Sequence, residues 1–375
     1  MTNYRMNRDQ ARDWFRAELT AIGEAASAVR YKKHPEKIVS YTLQRVVNYT
    51  NVCNAYCTFC SFYRPPGHPE DYLLTDDEIL DKIEKGVALG VTGVLIQGGD
   101  HPDLKIEYYE RLLKKVKQRF HVQCHSFSAS EILNLSQVSG ISLRDAIARL
   151  RDAGLDSIPG AGAEILDDEI RNRISPMKLK TAEWLEVHRT AHQLGLPTTA
   201  TMVFGFGETL EHRLNHLDRL RQLQDETGGF VGVIIWPYQT GARTPMILPQ
   251  QKPTAEEYLR MQALTRLYLD NFENLQASWL TVGLETGRRA LHFGANDAGS
   301  VVIEENVVRG AADTRSAGEA DLRRQIEQEG FIPMERNSTY SRRAPSLRTH
   351  FAAFSSEASH TGENHPSAPI LRRPG

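Results

Sequence analysis

Three cysteines stand in the run Asn51-Val52-Cys53-Asn54-Ala55-Tyr56-Cys57-Thr58-Phe59-Cys60. Cys53, Cys57 and Cys60 thus follow a C-x3-C-x2-C spacing, which brings three thiolates to one loop. Three thiolates can hold three irons of a [4Fe–4S] cluster. The fourth iron then lacks a protein ligand and is open to a small molecule. Two other readings use the same residues. One is a zinc site completed by Cys124 or a histidine. The other is a set of buried thiols packed as small apolar side chains. Zinc knuckles usually come as two C-x2-C pairs, and the chain has no second pair.

Other segments carry groups able to hold a ligand. In Gln97-Gly98-Gly99-Asp100 the paired glycines let a ligand approach the backbone closely. A plain turn between a strand and a helix would read the same way. Ser126, Ser128 and Glu131 cluster shortly afterwards. Glu164 lies in Pro159-Gly160-Ala161-Gly162-Ala163-Glu164, where its carboxylate could accept hydrogen bonds from sugar hydroxyls. A glutamate stabilised by a helix N-terminus is the plainer alternative. One of two nearby cations, Arg173 or Lys178, could pair with a ligand carboxylate. Lys178 reads equally as a surface charge. Gly205 and Glu208 open a further turn, and Trp236 fits either a purine stack or the core. Asn296-Asp297 and Glu304-Glu305-Asn306 read as a polar cluster facing a substrate, or as caps. His125 and His292 read as hydrogen-bonded structural histidines, and Cys124 as a small buried residue.

The elements between these groups alternate. Residues 7–29 read as one helix, and Thr42 to Tyr49 as a strand ending at the cysteine loop. Strands follow at Gly93 to Ile96, His121 to Phe127, Leu155 to Ile158, Thr198 to Phe204, Phe230 to Trp236, Leu275 to Leu280 and Ser300 to Ile303. Helices are expected at Thr75 to Leu89, Glu107 to Arg119, Ser142 to Ala153, Thr181 to Leu194, Thr209 to Asp225, Thr254 to Asn271 and Thr286 to Phe293. Thr75 with Glu78, and Thr254 with Glu257, have capping-box spacing. Ser142 caps its helix and Gly154 is placed to stop it. Eight β/α units imply a parallel sheet with crossover helices, and their number fits a closed (β/α)8 barrel. An open doubly wound sheet would carry fewer units and a glycine-rich first turn. Barrel enzymes place reacting groups at the C-terminal ends of the strands, where the cysteine loop falls. We divide the chain into a helical extension (1–40), the barrel (41–303), a C-terminal cap (304–340) and a disordered tail (341–375). The tail is mildly basic, with five Arg and two Glu; its composition is that of a solvated segment.

The net charge is −2, with 40% hydrophobic and 25% charged residues, as expected of a soluble globular protein. Nothing in the balance points to nucleic acid or an anionic membrane. Met1 to Arg16 is polar, and no apolar run reaches the roughly 18–20 residues that span a bilayer. Four cysteines, three of them clustered, make no disulfide framework. A reducing, cytoplasmic setting is the expectation.

The cysteine motif resembles that of the radical S-adenosylmethionine (SAM) superfamily. Further strings are similar to one family within it. They are Leu155-Asp156-Ser157-Ile158-Pro159-Gly160, Gln276-Ala277-Ser278-Trp279, Phe293-Gly294-Ala295-Asn296-Asp297 and Ile303-Glu304-Glu305-Asn306-Val307. That family is cyclic dehypoxanthine futalosine synthase, of the futalosine route to menaquinone, and the likeness covers about residues 10–340. Aminofutalosine synthase shares the cluster motif and the Gly-Ala-Asn-Asp segment, and is the close rival. The resemblance implies a radical SAM barrel holding a [4Fe–4S] cluster and SAM, and dehypoxanthine futalosine as substrate. It also implies an electron donor such as flavodoxin or ferredoxin. It assigns Cys53, Cys57 and Cys60 to the cluster. Gly98, Gly99, Asp100, Ser126, Ser128, Glu164, Arg173, Gly205 and Glu208 go to the cofactor. The reaction it implies takes hydrogen from carbon 4′, closes a spiro ring and releases a proton and an electron. The candidates for the final base are Asp297, Glu304, Glu208 and His125, and Asp297 is the one chosen.

Overall fold

The computed structural model describes residues 5–239, 252–303 and 318–342. Strands β1 (Ile38–Val47), β2 (Gly93–Ile96), β3 (Gln123–Cys124), β4 (Thr198–Phe204), β5 (Phe230–Pro237), β6 (Leu275–Gln276) and β7 (Asp297–Ile303) form a parallel sheet in the order β3-β2-β1-β7-β6-β5-β4. The sheet curls until β3 and β4 face each other across one gap. Residues 155–158, expected as a strand, fill that gap with a single bridge on each side. Ser157 meets His125 and Ile158 meets Thr198. Eight positions therefore surround the lumen, as the alternation predicts. Glu304 and the rest of residues 304–317, with the tail from 343 onward, lie outside the described residues.

Local chemistry accounts for the helices. In α3 (Asp76–Ala88), Thr75 and Glu78 cap each other's backbone amides. In α6 (Leu143–Ala153), Ser142 caps the start, and Gly154 ends it at φ 119°. The helices α4 (Ile106–Arg119), α8 (Thr181–Gln193), α9 (Leu210–Thr227) and α10 (Ala255–Tyr268) lie close to their expected positions. Thr254 caps α10 through the Glu257 amide. The Glu257 carboxylate goes instead to Arg213 at 2.7 Å. Two short helices, α5 (Ala129–Ser139) and α7 (Asp168–Ile174), lie where none was expected. The single N-terminal helix is two, α1 (Arg8–Arg16) and α2 (Leu19–Lys33). Arg260 of α10 donates to the Phe15 and Ala17 carbonyls, drawing off the acceptors that would continue the first helix. The sixth strand is shorter than expected. Trp279–Arg289 is helical (α11), kinked at Gly283.

Alternation along β1 sorts its side chains into two sets. Tyr41 donates to Glu319 of the outer helix α12 (Glu319–Gln328). Ser40 and Gln44 point inward, to Asp297 at 2.5 Å and to Ser300 at 3.0 Å. Thr42 and Asn48 share that inward register. The chain after α12 forms β8 (Ile332–Glu335) beside the first half of β1. It then turns inward across the N-terminal mouth of the barrel. Arg336 reaches Asp297, the Ser338 amide donates to Gln123, and the Tyr340 ring lies against Gly232. This segment is the floor of the lumen. Among the described residues no helix is long and apolar enough to cross a membrane.

Candidate active site at the cluster end of the barrel

The loop after β1 is tied down at every turn. Cys53 donates its amide to Arg64 O, and Asn54 donates to Asp100 O at 3.1 Å. The Thr58 amide and hydroxyl both bond Ile174 O at 2.9 Å. The guanidinium of Arg64 gathers the carbonyls of Ser61, Phe62 and Tyr63. Tyr56 takes φ 47°, a left-handed turn that reverses the chain between Cys53 and Cys57. Cys57 is 6% exposed and burial holds its thiol well above the usual range. Burial, aided by Asp100, pushes Cys53 up to about 12. A buried thiol of this kind becomes a thiolate only with a cation beside it.

The loop offers three thiols, the number a [4Fe–4S] cluster takes from the protein when one iron is left open, whereas a structural zinc site takes four ligands. Cys124 is 0% exposed on the outward side of β3, away from the loop. Gly99 marks the closest approach. A Cβ there would lie 2.2 Å from Val52 O and 2.6 Å from Cys53 Cβ. We expect Gly99→Ala to fold with an ordinary circular dichroism spectrum but to retain little iron on reconstitution. Full iron loading would show that the turn has room to spare.

The structure brings some expected cofactor residues to this loop and sets others apart. The Asp100 amide donates to Cys53 Sγ at 3.3 Å, and its carboxylate accepts from Ser130. Burial raises the pKa of its carboxyl above the usual carboxylate range, with Lys178 and Ser130 opposing. Gly98 is held by Glu131. Glu164 stands at φ 40° with Lys178 Nζ at 3.1 Å and Arg171 at 3.5 Å. Ser126 accepts from the Ile96 amide, and Ser128 caps α5; both are scaffold for the strand ends. Glu208 accepts from the Gly205 and Phe206 amides and pairs with Arg213 at 2.8 Å, so it closes its own turn. Phe206 packs on Phe59 at 5.2 Å and on Tyr238 at 4.9 Å, an aromatic wall beside the cysteine loop.

Two residues expected at the site face other partners in the structure. Arg173 is exposed and donates to Phe206 O at 2.8 Å. The inward cation is Lys178, whose side chain is 14% exposed. Burial alone would lower the Lys178 pKa, but Glu164, Cys57 and Asp100 together raise it, so the ammonium stays charged. Asp297 is not at the reacting end. It pairs in register with Ser40, seven residues before the end of β1, or roughly 23 Å at the strand rise. Its carboxylate binds Arg336 at 2.6 and 2.8 Å and accepts from Ser40 and the Gly299 amide. Both oxygens are thus engaged in an ion pair at the floor of the lumen.

His125 is placed differently. It follows Gln123 and Cys124 in alternation and faces the lumen. Nδ1 lies 2.7 Å from the Ser157 hydroxyl, and Nε2 has no partner among the described residues. Burial, with Arg336 nearby, pushes the ring down to about 3, so it is neutral at physiological pH.

Comparison with known proteins gives the family. Residues 47–220 match the model of the radical SAM superfamily, and residues 227–348 that of the CofH/MqnC C-terminal region. The chain is 43% identical to cyclic dehypoxanthine futalosine synthase of Halalkalibacterium halodurans, over 86% of this chain and 87% of that protein. It is 41% identical to the Streptomyces coelicolor enzyme of the same name, over 90% and 85%. Aminodeoxyfutalosine synthase of Thermus thermophilus is 37% identical over 86% and 88%. The fold resembles the crystal structure of methylornithine synthase, with TM-score 0.68 and 18% identity over 88% of this chain and 95% of that one. It also resembles the hydrogenase maturase of Carboxydothermus hydrogenoformans, with TM-score 0.69 and 15% identity over 90% and 77%. On its cysteine loop, its barrel and its extent of identity, the chain belongs to the cyclic dehypoxanthine futalosine synthase family of radical SAM enzymes.

Proposed function

We propose that this chain cyclises dehypoxanthine futalosine to its spiro product, in the futalosine route to menaquinone. The carrying observation is one corner of the barrel where three thiols, the Gly98-Gly99-Asp100 turn and a buried ammonium meet. Cys53, Cys57 and Cys60 would hold the [4Fe–4S] cluster of the family. The cluster and SAM, when bound, would supply the 5′-deoxyadenosyl radical chemistry of the family. The protein's part is to hold donor and target in contact and to keep water out. The Gly98–Asp100 backbone would hold the amino end of the cofactor and Lys178 its carboxylate, with Phe206 and Tyr238 offering an aromatic wall to the adenine. The substrate lies in the lumen, above the Arg336–Asp297 floor and along Thr42, Asn48 and His125. Electrons enter from a flavodoxin- or ferredoxin-class donor. A groove of about 420 Å³ lies beside Cys60, lined by Tyr63, Arg64 and Glu70.

The assignment of cations is testable alone. Lys178→Met should weaken SAM binding to the reconstituted protein about 10–100-fold, the range for a charge-assisted bond. Arg173→Ala should change it little. Equal losses in equilibrium dialysis would return the carboxylate to Arg173. The reaction is tested by anaerobic reconstitution with SAM and reductant, in parallel with dehypoxanthine futalosine and with the substrates of aminodeoxyfutalosine synthase. Mass spectrometry should find the cyclised product in the first arm alone. Product in the second arm alone would assign the other reaction.

A further inference from the structure

The turn Gly98-Gly99-Asp100 has little side chain with which to fix its own shape. One carboxylate does so from outside. Glu131 is 1% exposed and lies where three strands end. Its Oε1 accepts from the Gly98 amide at 2.9 Å and from the Tyr49 hydroxyl at 3.0 Å. Its Oε2 accepts from the Ser128 amide and hydroxyl, both at 2.7 Å. Tyr49 follows β1, Gly98 follows β2 and Ser128 follows β3. Two residues beyond Gly98, the Asp100 amide points at Cys53 Sγ. The bonds therefore run without a break from Glu131 through the turn to a cluster ligand.

We propose that Glu131 is the positioning residue of this turn, and that its ionised form is the one that shapes it to receive the methionine end of SAM. The inference rests on the cofactor reading above. Four donors converge on two oxygens. Only the ionised form accepts from all four at once; a proton on either oxygen would turn a hydroxyl, Tyr49 or Ser128, from donor to acceptor and rearrange the set. Burial pushes the acid up to about 7, against the hydrogen bonds from Ser128 and Gly98. The carboxylate thus prevails above that pH and is lost below it. Other titratable groups face this point. Tyr49 and Tyr109 are held protonated, well above their usual range, by burial. Asp100 is raised by burial and opposed by Lys178.

The test measures SAM affinity of the reconstituted holoenzyme by equilibrium dialysis from pH 6 to pH 8.5, without substrate. Glu131→Gln and Ser128→Ala are compared with the wild type at equal cluster absorbance. Titration of SAM and Lys178 is common to all three and cancels in the ratios, and Ser128→Ala, which keeps the Glu131 charge facing Asp100, separates the Glu131 midpoint from that of Asp100. Above pH 7 the wild type should bind about tenfold more tightly than Glu131→Gln, the value of one charge-assisted bond. The ratio should approach one at pH 6, where Glu131 carries its proton. Ser128→Ala removes a bond that favours the carboxylate, so its midpoint should move to higher pH. A ratio independent of pH, or an unmoved midpoint in Ser128→Ala, would overturn the proposal. The second arm decides if Glu131→Gln fails to fold. A wrong substrate would show in the product assay and leave these affinities unchanged.

Discussion

Cys57→Ala should abolish the iron–sulfur absorbance after anaerobic reconstitution, and 5′-deoxyadenosine formation with it. Cys57 is the most buried of the three loop thiols, and its thiolate gains from Lys178 across the site. No other sulfur can replace it. Cys124 is fully buried behind β3, near Lys117 and Asp156, and cannot turn to the lumen without unpacking the helix layer. Two thiolates would then face a cluster that needs three from the protein. The loop itself should persist, because its backbone bonds to Ile174, Asp100 and Arg64 do not involve that side chain. The variant should therefore keep wild-type secondary structure and lose iron. An unchanged cluster spectrum would remove Cys57 from the ligand set.

Asp297→Ala should be a stability mutation. The carboxylate is 0% exposed and Arg336 is 4% exposed, so the substitution strands a buried guanidinium. Breaking a buried pair from one side costs about 3–5 kcal/mol. The loss should appear as an earlier midpoint in urea unfolding. The double substitution Asp297→Leu with Arg336→Met should recover much of it, because it leaves no charge unpaired. Activity per folded molecule should fall far less than in Cys57→Ala. Wild-type stability combined with deoxyadenosine formation but no product would return Asp297 to the chemistry.

Where local rules decide, the chain is legible. The strands Gly93–Ile96 and Thr198–Phe204 lie residue for residue where their apolar, β-branched runs place them. The Thr75–Glu78 box and the Gly154 stop act over one turn, so neighbours cannot override them. Helix α5 is legible only from its capping box, Ser128-x-x-Glu131, and Ser128 reads equally as a ligand group. The sequence shows less of Asp297: an Asn-Asp pair before a strand lies at the strand's N-terminal end, the mouth opposite the cysteine loop. Its partner Arg336 is 39 residues away and no periodicity links them. Arg173 and Lys178 were inseparable in sequence. They flank an irregular turn, and only the fold shows which one turns inward. The break between α1 and α2 depends on Arg260, which is distant in the chain.

The most direct measurement uses dehypoxanthine futalosine deuterated at carbon 4′. Incubated with the reconstituted enzyme, SAM and reductant, it should yield 5′-deoxyadenosine carrying that deuterium, in step with spiro product. Deoxyadenosine free of the label, with no cyclised product, would contradict the account.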